Sequence, residues 1–275
     1  MWKPLQLINV KAHGQFLARY SDFVQEAERL REVYVAIETE SAPPAEIGTA
    51  RIIQFLVSTV WDDLSEIVVL HANGYPLGSL KILRSMFEHT VHLGHFVRNP
   101  ADIEPFWKYG LIDEVKFINY YPDAFRPEDV ELMTLGANVV RGDFQVPVCG
   151  KCKDNECKPC QKTKTASSWM GKRNLLDLAK DLEILPVAVF SSYYMGLVEA
   201  HPKIQSLKRR EYKDESGTIR YRHDETIDQT DNTLMSAHYL LLFAIGEFLD
   251  YCGAESCKSQ YEKRTKRFNV VWRRG

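Results

Sequence analysis

A cation, a carboxylate and an imidazole follow one another in the segment PLGSLKILRSMFEHTVHLGHFVRNP, residues 76–100. Arg84, Glu88 and His89 supply these three groups. Cleavage of RNA without a metal needs a base for the 2′-hydroxyl, an acid for the leaving oxygen and a cation for the charge on the phosphorane. A guanidinium suits the phosphate, and an imidazole exchanges protons near neutral pH. The segment therefore contains the residue types that phosphodiester chemistry requires.

Helical geometry decides which of these groups share a face. At about 100° per residue, Glu88 lies within about 40° of Arg84, whereas His89 is turned by about 140°. A second candidate imidazole is His201, which precedes a proline at the end of a later predicted helix. We expect Arg84, Glu88 and His201 to converge on one cleft. Arg84 would clamp a phosphate, His201 would act as base or acid, and Glu88 would orient one of them.

Structural interpretations of the same residues stay open. Arg84 and Glu88 at i, i+4 can simply pair at a buried edge, and His201 can cap the end of its helix. Glu88, His92 and His95 share a face at metal-ligand spacing, but one helix does not provide the several inward-facing helices of a di-iron bundle.

Four cysteines form two C-x₂-C pairs with the ligand chemistry of a structural zinc site: Cys149, Cys152, Cys157 and Cys160. Four thiolates complete a tetrahedral site without an open position, so such a zinc ion would stabilise the fold and not catalyse. Two exposed thiol pairs and iron–sulfur ligation are the alternatives. Cys252 and Cys257 are interpreted as ordinary core or surface thiols.

The elements that must position these residues are mostly helices. Apolar periodicity with proline and Asn-Gly boundaries predicts helices at about 15–40, 44–71, 76–99, 100–121, 127–140, 174–182, 186–200 and 226–252, with a basic helix after them. Residues 208–222 contain a glycine turn and predict a small hairpin or a flexible loop. Trp107 and Trp169 are predicted to anchor the core.

These elements predict an all-α, antiparallel helical bundle. We expect a single domain over 1–275, a zinc-knuckle-like insertion at 145–165 and a basic C-terminal tail at 255–275. The opening residues lack a secretory pattern and no apolar run is long enough to span a membrane, so a cytoplasmic protein is expected. The net charge of −2 argues against uniform coating of nucleic acid. The basic tail is either a polyanion contact or a solvated helix face.

Three blocks between residues 75 and 207 resemble an uncharacterised family of bacterial helical proteins close to the HEPN superfamily. They are Leu83-Arg84-Ser85-Met86-Phe87-Glu88 continuing to Asn99-Pro100, Ser168-Trp169-Met170-Gly171, and the group Tyr193, Tyr194, Gly196, His201 and Pro202. HEPN proteins carry an R-x₄₋₆-H motif, which Arg84-x₄-His89 matches.

The resemblance implies a homodimeric bundle that acts as a metal-independent endoribonuclease in toxin–antitoxin or anti-phage defence. RNA would be its substrate, and a partner protein or antitoxin would control it. The alternatives are a non-catalytic helical module that binds a partner protein or nucleic acid, and a nucleotide sensor that uses Arg84 and nearby histidines.

Overall fold

Helices make up most of the chain in the computed structural model, which describes residues 8–40, 47–147, 163–171, 173–200, 204, 208, 211–221 and 227–273. The helices are α1 (Val10–Glu40), α2 (Ile47–Ala72), α3 (Pro76–Arg98), α4 (Ile103–Tyr120), α5 (Pro127–Val140), α6 (Leu175–Asp181), α7 (Pro186–Val189), α8 (Met195–Ala200), α9 (Ile227–Cys252) and α10 (Glu255–Trp272). The all-α class is confirmed. Contacts group the chain into two compact units, one of Met1–Arg98 with Ala179–Gly275 and one of Asn99–Leu178. Domain organisation over 1–275 stays a prediction.

The helical hairpin of α2 and α3 is the centre of the first unit. Asn73-Gly74 ends α2, as the sequence predicts, because Gly74 adopts a positive φ of 80° that few other residues tolerate. The Tyr75 amide then bonds the Leu70 carbonyl at 2.8 Å and closes the turn. Both helices bury their apolar stripes, and α9 packs against them. This packing fixes the rotation of α3 about its axis.

The basic C-terminal helix α10 runs antiparallel to α9. Gly253, with φ 62°, ends α9, and the Tyr261 hydroxyl of α10 donates to the Leu242 carbonyl at 3.0 Å. Further along the pair, Trp272 Nε1 donates to His238 Nδ1 at 3.0 Å. The same helix packs along α1, so the C-terminal segment is part of the first unit's core.

A continuous helical segment joins α7 and α8 through a π-helical turn, Phe190–Tyr194. After α8, a hairpin pairs β3 (Glu211–Lys213) with β4 (Ile219–Tyr221) in antiparallel register, which confirms the hairpin alternative. Backbone and side-chain bonds to Asp214 close its turn. None of the helices within the described ranges is long and apolar enough to cross a membrane.

The second unit contains α4, α5 and a short sheet. Strand β1 (Gln145–Pro147) pairs with β2 (Thr163–Thr165) antiparallel, with Pro147 opposite Thr163. A small core forms around Tyr109, whose hydroxyl donates to the Ala166 carbonyl at 2.9 Å. Trp169 packs at the edge of this core, as predicted. The prediction for Trp107 is wrong: its side chain is 66% exposed on α4.

Candidate active site

An aspartate–histidine pair joins α2 to α3. His89 Nδ1 lies 2.7 Å from Asp63 Oδ2. A carboxylate only accepts hydrogen bonds, so Nδ1 carries the proton in this contact and Nε2 is the second ring nitrogen. The Asp63 side chain is 10% exposed and the His89 side chain 29% exposed. A largely buried carboxylate therefore fixes the tautomer of an imidazole that water can reach.

The guanidinium of Arg84 is held in two ways. Its Nε donates to Glu88 Oε1 at 3.0 Å, one turn further along α3. Its Cζ lies 4.8 Å from the centre of the Tyr193 ring, in the π-helical turn. Within the described part of the chain, the buried Arg84 Nη1 makes no hydrogen bond. A buried donor without an acceptor is costly, and an oxyanion at this point would satisfy it.

Gly196 allows the segment with Tyr193 to lie against α3. A Cβ at this position would lie 2.6 Å from both the Leu80 carbonyl oxygen and Arg84 Cβ. Only glycine permits this approach of α8 to α3. The approach brings Tyr193 over the arginine and against Phe87, whose ring centre is 5.8 Å away. The π-helical turn and Gly196 thus position the ring that supports the cation.

Two exposed aromatic side chains lie on the same π-helical turn as Tyr193. Phe190 and Tyr194 lie on the outer side of the π-helical turn, with ring centres 6.2 Å apart. The Tyr194 ring meets the Tyr193 ring edge-on at 5.7 Å. Aromatic faces beside a cation are the elements with which proteins bind single-stranded nucleic acid.

Of the remaining α3 histidines, His92 is half-buried and His95 is buried. His92 Nδ1 donates to the Glu88 carbonyl at 2.8 Å, and burial lowers the pKa of its imidazole. His95 is buried beside Phe96. Over the described ranges, no three histidine, cysteine or acidic side chains are arranged to hold a metal ion. The metal interpretation of Glu88, His92 and His95 gains no support.

The structure separates the two sides of α3. Arg84 and Glu88 pair with each other on the side that meets Tyr193, whereas His89 pairs with Asp63 on the side that meets α2. His201 lies outside the described residues, so its convergence with Arg84 stays a prediction. Asp63 was not predicted. Its signal was its position three residues after Val60 and four before Ile67, within the apolar stripe of α2.

The four cysteines of the predicted zinc site, Cys149, Cys152, Cys157 and Cys160, also lie outside the described residues. The β1–β2 pair holds the chain on either side of them. Of the two remaining thiols, Cys257 is buried and Cys252 half-buried, and burial raises the pKa of Cys252 to about 11. Both fit the expected role as ordinary thiols.

The fold and this site define a mostly helical protein with an oriented imidazole and a braced arginine on one central helix. The model of a family of unknown function (DUF5677) matches residues 52–219, and the chain belongs to this family. The match begins in α2 and ends at β4, so it includes Asp63, Arg84, Glu88, His89 and Tyr193. No curated protein and no solved structure matches the chain.

Proposed function

We propose that this protein is a HEPN-like, metal-independent endoribonuclease. The observation that carries the proposal is the 2.7 Å contact between Asp63 and His89. His89 is on the same helix as Arg84, whose Nη1 makes no hydrogen bond within the described part of the chain. The residue types and the R-x₄-H spacing resemble those of HEPN ribonucleases. Arg84 and His89 are about 7.5 Å apart along α3 and about 140° apart around it, so the proposal requires the RNA strand to cross the helix between them.

The groups divide the chemistry between them. His89 Nε2, presented by the Asp63 contact, takes the 2′-hydroxyl proton or protonates the leaving 5′-oxygen. Arg84 binds the phosphate and offsets the charge that develops on its oxygens. Glu88 holds the Arg84 fork in orientation. His201 supplies the second proton-transfer group, as the sequence pattern predicts.

Single-stranded RNA is the substrate form that suits this site. Phe190 and Tyr194 are exposed on the same π-helical turn as Tyr193, the residue that contacts the arginine, and they offer ring faces on which unpaired bases can stack. Bases in a duplex have no free face for such contacts. The proposed substrate is therefore an unpaired RNA segment.

Cleavage of a labelled single-stranded RNA in the presence of EDTA tests the proposal. We expect the wild-type protein to cleave, and His89→Ala and Arg84→Ala each to lower the rate by about 10²–10⁴-fold. His13→Ala, which changes an exposed histidine on α1, is the matched control and should cleave normally. His201→Ala distinguishes two roles of this residue. A lower cleavage rate would identify His201 as a second catalytic imidazole, whereas an unchanged rate would identify it as a helix cap.

A folded wild-type protein that leaves RNA intact would overturn the proposal, as would a folded His89→Ala variant with full activity. Either result must be read with circular dichroism spectra that show a native fold.

The wider biological role follows from the resemblance and belongs to the same proposal. It comprises a cytoplasmic homodimer, action as a toxin or anti-phage effector, and control by a partner protein or antitoxin. Zinc bound by the four cysteines is proposed as a structural staple. The purified protein should contain about one zinc per chain by elemental analysis, and serine at Cys149 and Cys152 should abolish it.

A non-catalytic interaction module is the second candidate. It is supported by exposed apolar side chains on α4 and α5 of the second unit: Trp107, Phe117, Tyr120, Leu132, Leu135 and Val139. Where such side chains form one contiguous patch, they mark a binding surface. Tight binding of RNA or protein without cleavage in the same assay would favour this function.

A further inference from the structure

One buried carboxylate between α1 and α10 is shared by three arginines. Glu26 is 1% exposed. Arg29 Nη1 donates to its Oε1 at 2.7 Å, Arg264 Nη1 to Oε2 at 3.1 Å and Arg267 Nε to Oε1 at 3.3 Å. We call these four residues the arginine cage. The buried carboxylate holds the guanidiniums in place before any ligand arrives.

A groove of about 660 Å³ opens onto the arginine cage. Its lining contains four cations: the three cage arginines and Lys263. Among the described residues of the lining, Glu32 is the only acid, and Glu26 lies beneath the groove. Four positive charges against two negative charges leave a surplus of two at neutral pH. The groove therefore favours a doubly charged anion.

The cage also has many more donors than its carboxylate can use. Each guanidinium has five N–H groups, whereas the two carboxylate oxygens offer about four acceptor positions. Arg264 is only 10% exposed on its side chain, so its orientation is fixed by packing as well as by Glu26. Several preoriented guanidinium donors around one groove are the arrangement that binds phosphate in a bidentate manner.

We propose that this groove binds a phosphate monoester or inorganic phosphate, independently of any RNA cleavage. Such a group carries a charge of about −1.5 to −2 at pH 7, which matches the surplus. The described lining contains no aromatic side chain, so recognition rests on the phosphate and not on a base. The ligand is either free phosphate or the 5′-phosphate of an RNA end.

Binding assays on the full chain in phosphate-free buffer distinguish these sources. Calorimetry measures the binding of inorganic phosphate. Fluorescence anisotropy compares the affinity for 5′-phosphorylated RNA with the affinity for the same RNA carrying a 5′-hydroxyl. Binding of inorganic phosphate identifies the free ion as a ligand, and preferential binding of the 5′-phosphorylated RNA identifies the RNA end. The His89→Ala variant should bind equally well, so loss of cleavage does not affect the outcome.

Lys263→Glu and Lys266→Glu form a matched pair for this test. Both residues are exposed on α10 and both substitutions change the charge equally, but only Lys263 lines the groove. We expect Lys263→Glu to weaken binding about tenfold or more and Lys266→Glu to change it less than about twofold. Arg267→Gln, on a partly exposed cage arginine, should also weaken binding.

Three results would overturn the proposal. They are binding of neither ligand, equal effects of the two lysine substitutions, and equal affinity for 5′-phosphate and 5′-hydroxyl RNA in the absence of phosphate binding.

Discussion

Glu26 and Glu88 both pair with arginine, but the surroundings of the two carboxylates differ. Glu26 is 1% exposed and is shared by three arginines from α1 and α10. Glu88 is 39% exposed on its side chain and pairs with one arginine of its own helix. A buried ion that loses its partners is costly, whereas an exposed pair is screened by water. We infer that Glu26 stabilises the fold, while the Glu88 pair can rearrange for a ligand at little cost.

The two clusters also differ in their relation to the family. Glu88 and Arg84 lie within residues 52–219, which the family model matches, whereas the helices of the arginine cage lie outside this range. The α3 site is therefore the place to look for a function that the family shares. The groove at the arginine cage lies outside the part of the chain that the family model matches.

The largest effect is expected from Glu26→Gln. Loss of the carboxylate leaves the buried Arg264 without its charge partner, so the free energy of unfolding should fall by about 3–5 kcal/mol. Urea denaturation followed by circular dichroism measures this change. Glu32→Gln, on the groove lining, is the control and should change stability by less than about 0.5 kcal/mol. Equal losses in the two variants would remove the contrast between Glu26 and exposed acids.

Acid should destabilise the first unit through two buried histidines. Burial lowers the pKa of His71 and of His238 to about 3. The unfolded chain, with histidine pKa values near 6.5, binds these protons first, so stability is complete above about pH 6.5 and is lost as pH falls towards 3.

Between pH 7 and pH 5 we expect each of these imidazoles to cost about 2 kcal/mol of unfolding free energy, about 4 kcal/mol together. Urea denaturation at both pH values measures the loss. The pH dependence should be shallower in His238→Gln and unchanged in His13→Gln. An identical slope in all three proteins would contradict the assignment.

Gly196→Ala tests the support beneath Arg84. The added Cβ would collide with α3 backbone and with Arg84 Cβ, so stability should fall by about 1–3 kcal/mol and RNA cleavage should fall with it. Gly110→Ala on α4 is the control, since a Cβ there meets nothing within 4 Å and alanine favours a helix. A Gly196→Ala variant as stable as the Gly110→Ala variant would show that the two helices are not so close.

The smallest effect is expected from Glu88→Gln. A half-exposed i, i+4 pair on one helix contributes about 0.3–0.5 kcal/mol, so unfolding in urea should barely change. Cleavage should respond more than stability, because the arginine loses its orienting carboxylate. A loss of several kcal/mol would place Glu88 in the same class as Glu26 and end the comparison.

Local signals in the sequence predicted the helices well. Pro76, Asn73-Gly74 and Pro127 each act on their own few residues, and the structure has helix boundaries where these residues occur. The pairing of Asp63 with His89 depends on how α2 and α3 are rotated relative to each other. Apolar periodicity predicts the buried face of each helix but not which residues of the two helices meet. Trp107 shows that residue type alone does not predict burial, because this aromatic side chain faces outward from α4.

The arginine cage was beyond sequence reasoning for a related reason. Glu26 and Arg264 are 238 positions apart, and their contact requires α10 to fold back along α1. The basic C-terminal residues indicated an anion contact in general terms. Only the packing of the two helices shows which of those residues share one groove with Arg29.

The β1–β2 ladder has a consequence for protein engineering. Pro147 and Thr163 are opposite each other in antiparallel register, a geometry that sets their Cα atoms about 4.5–5.5 Å apart. A two-residue Asn-Gly turn spans that distance. An Asn-Gly turn in place of residues 148–162 would therefore keep the register in which β1 and β2 pair.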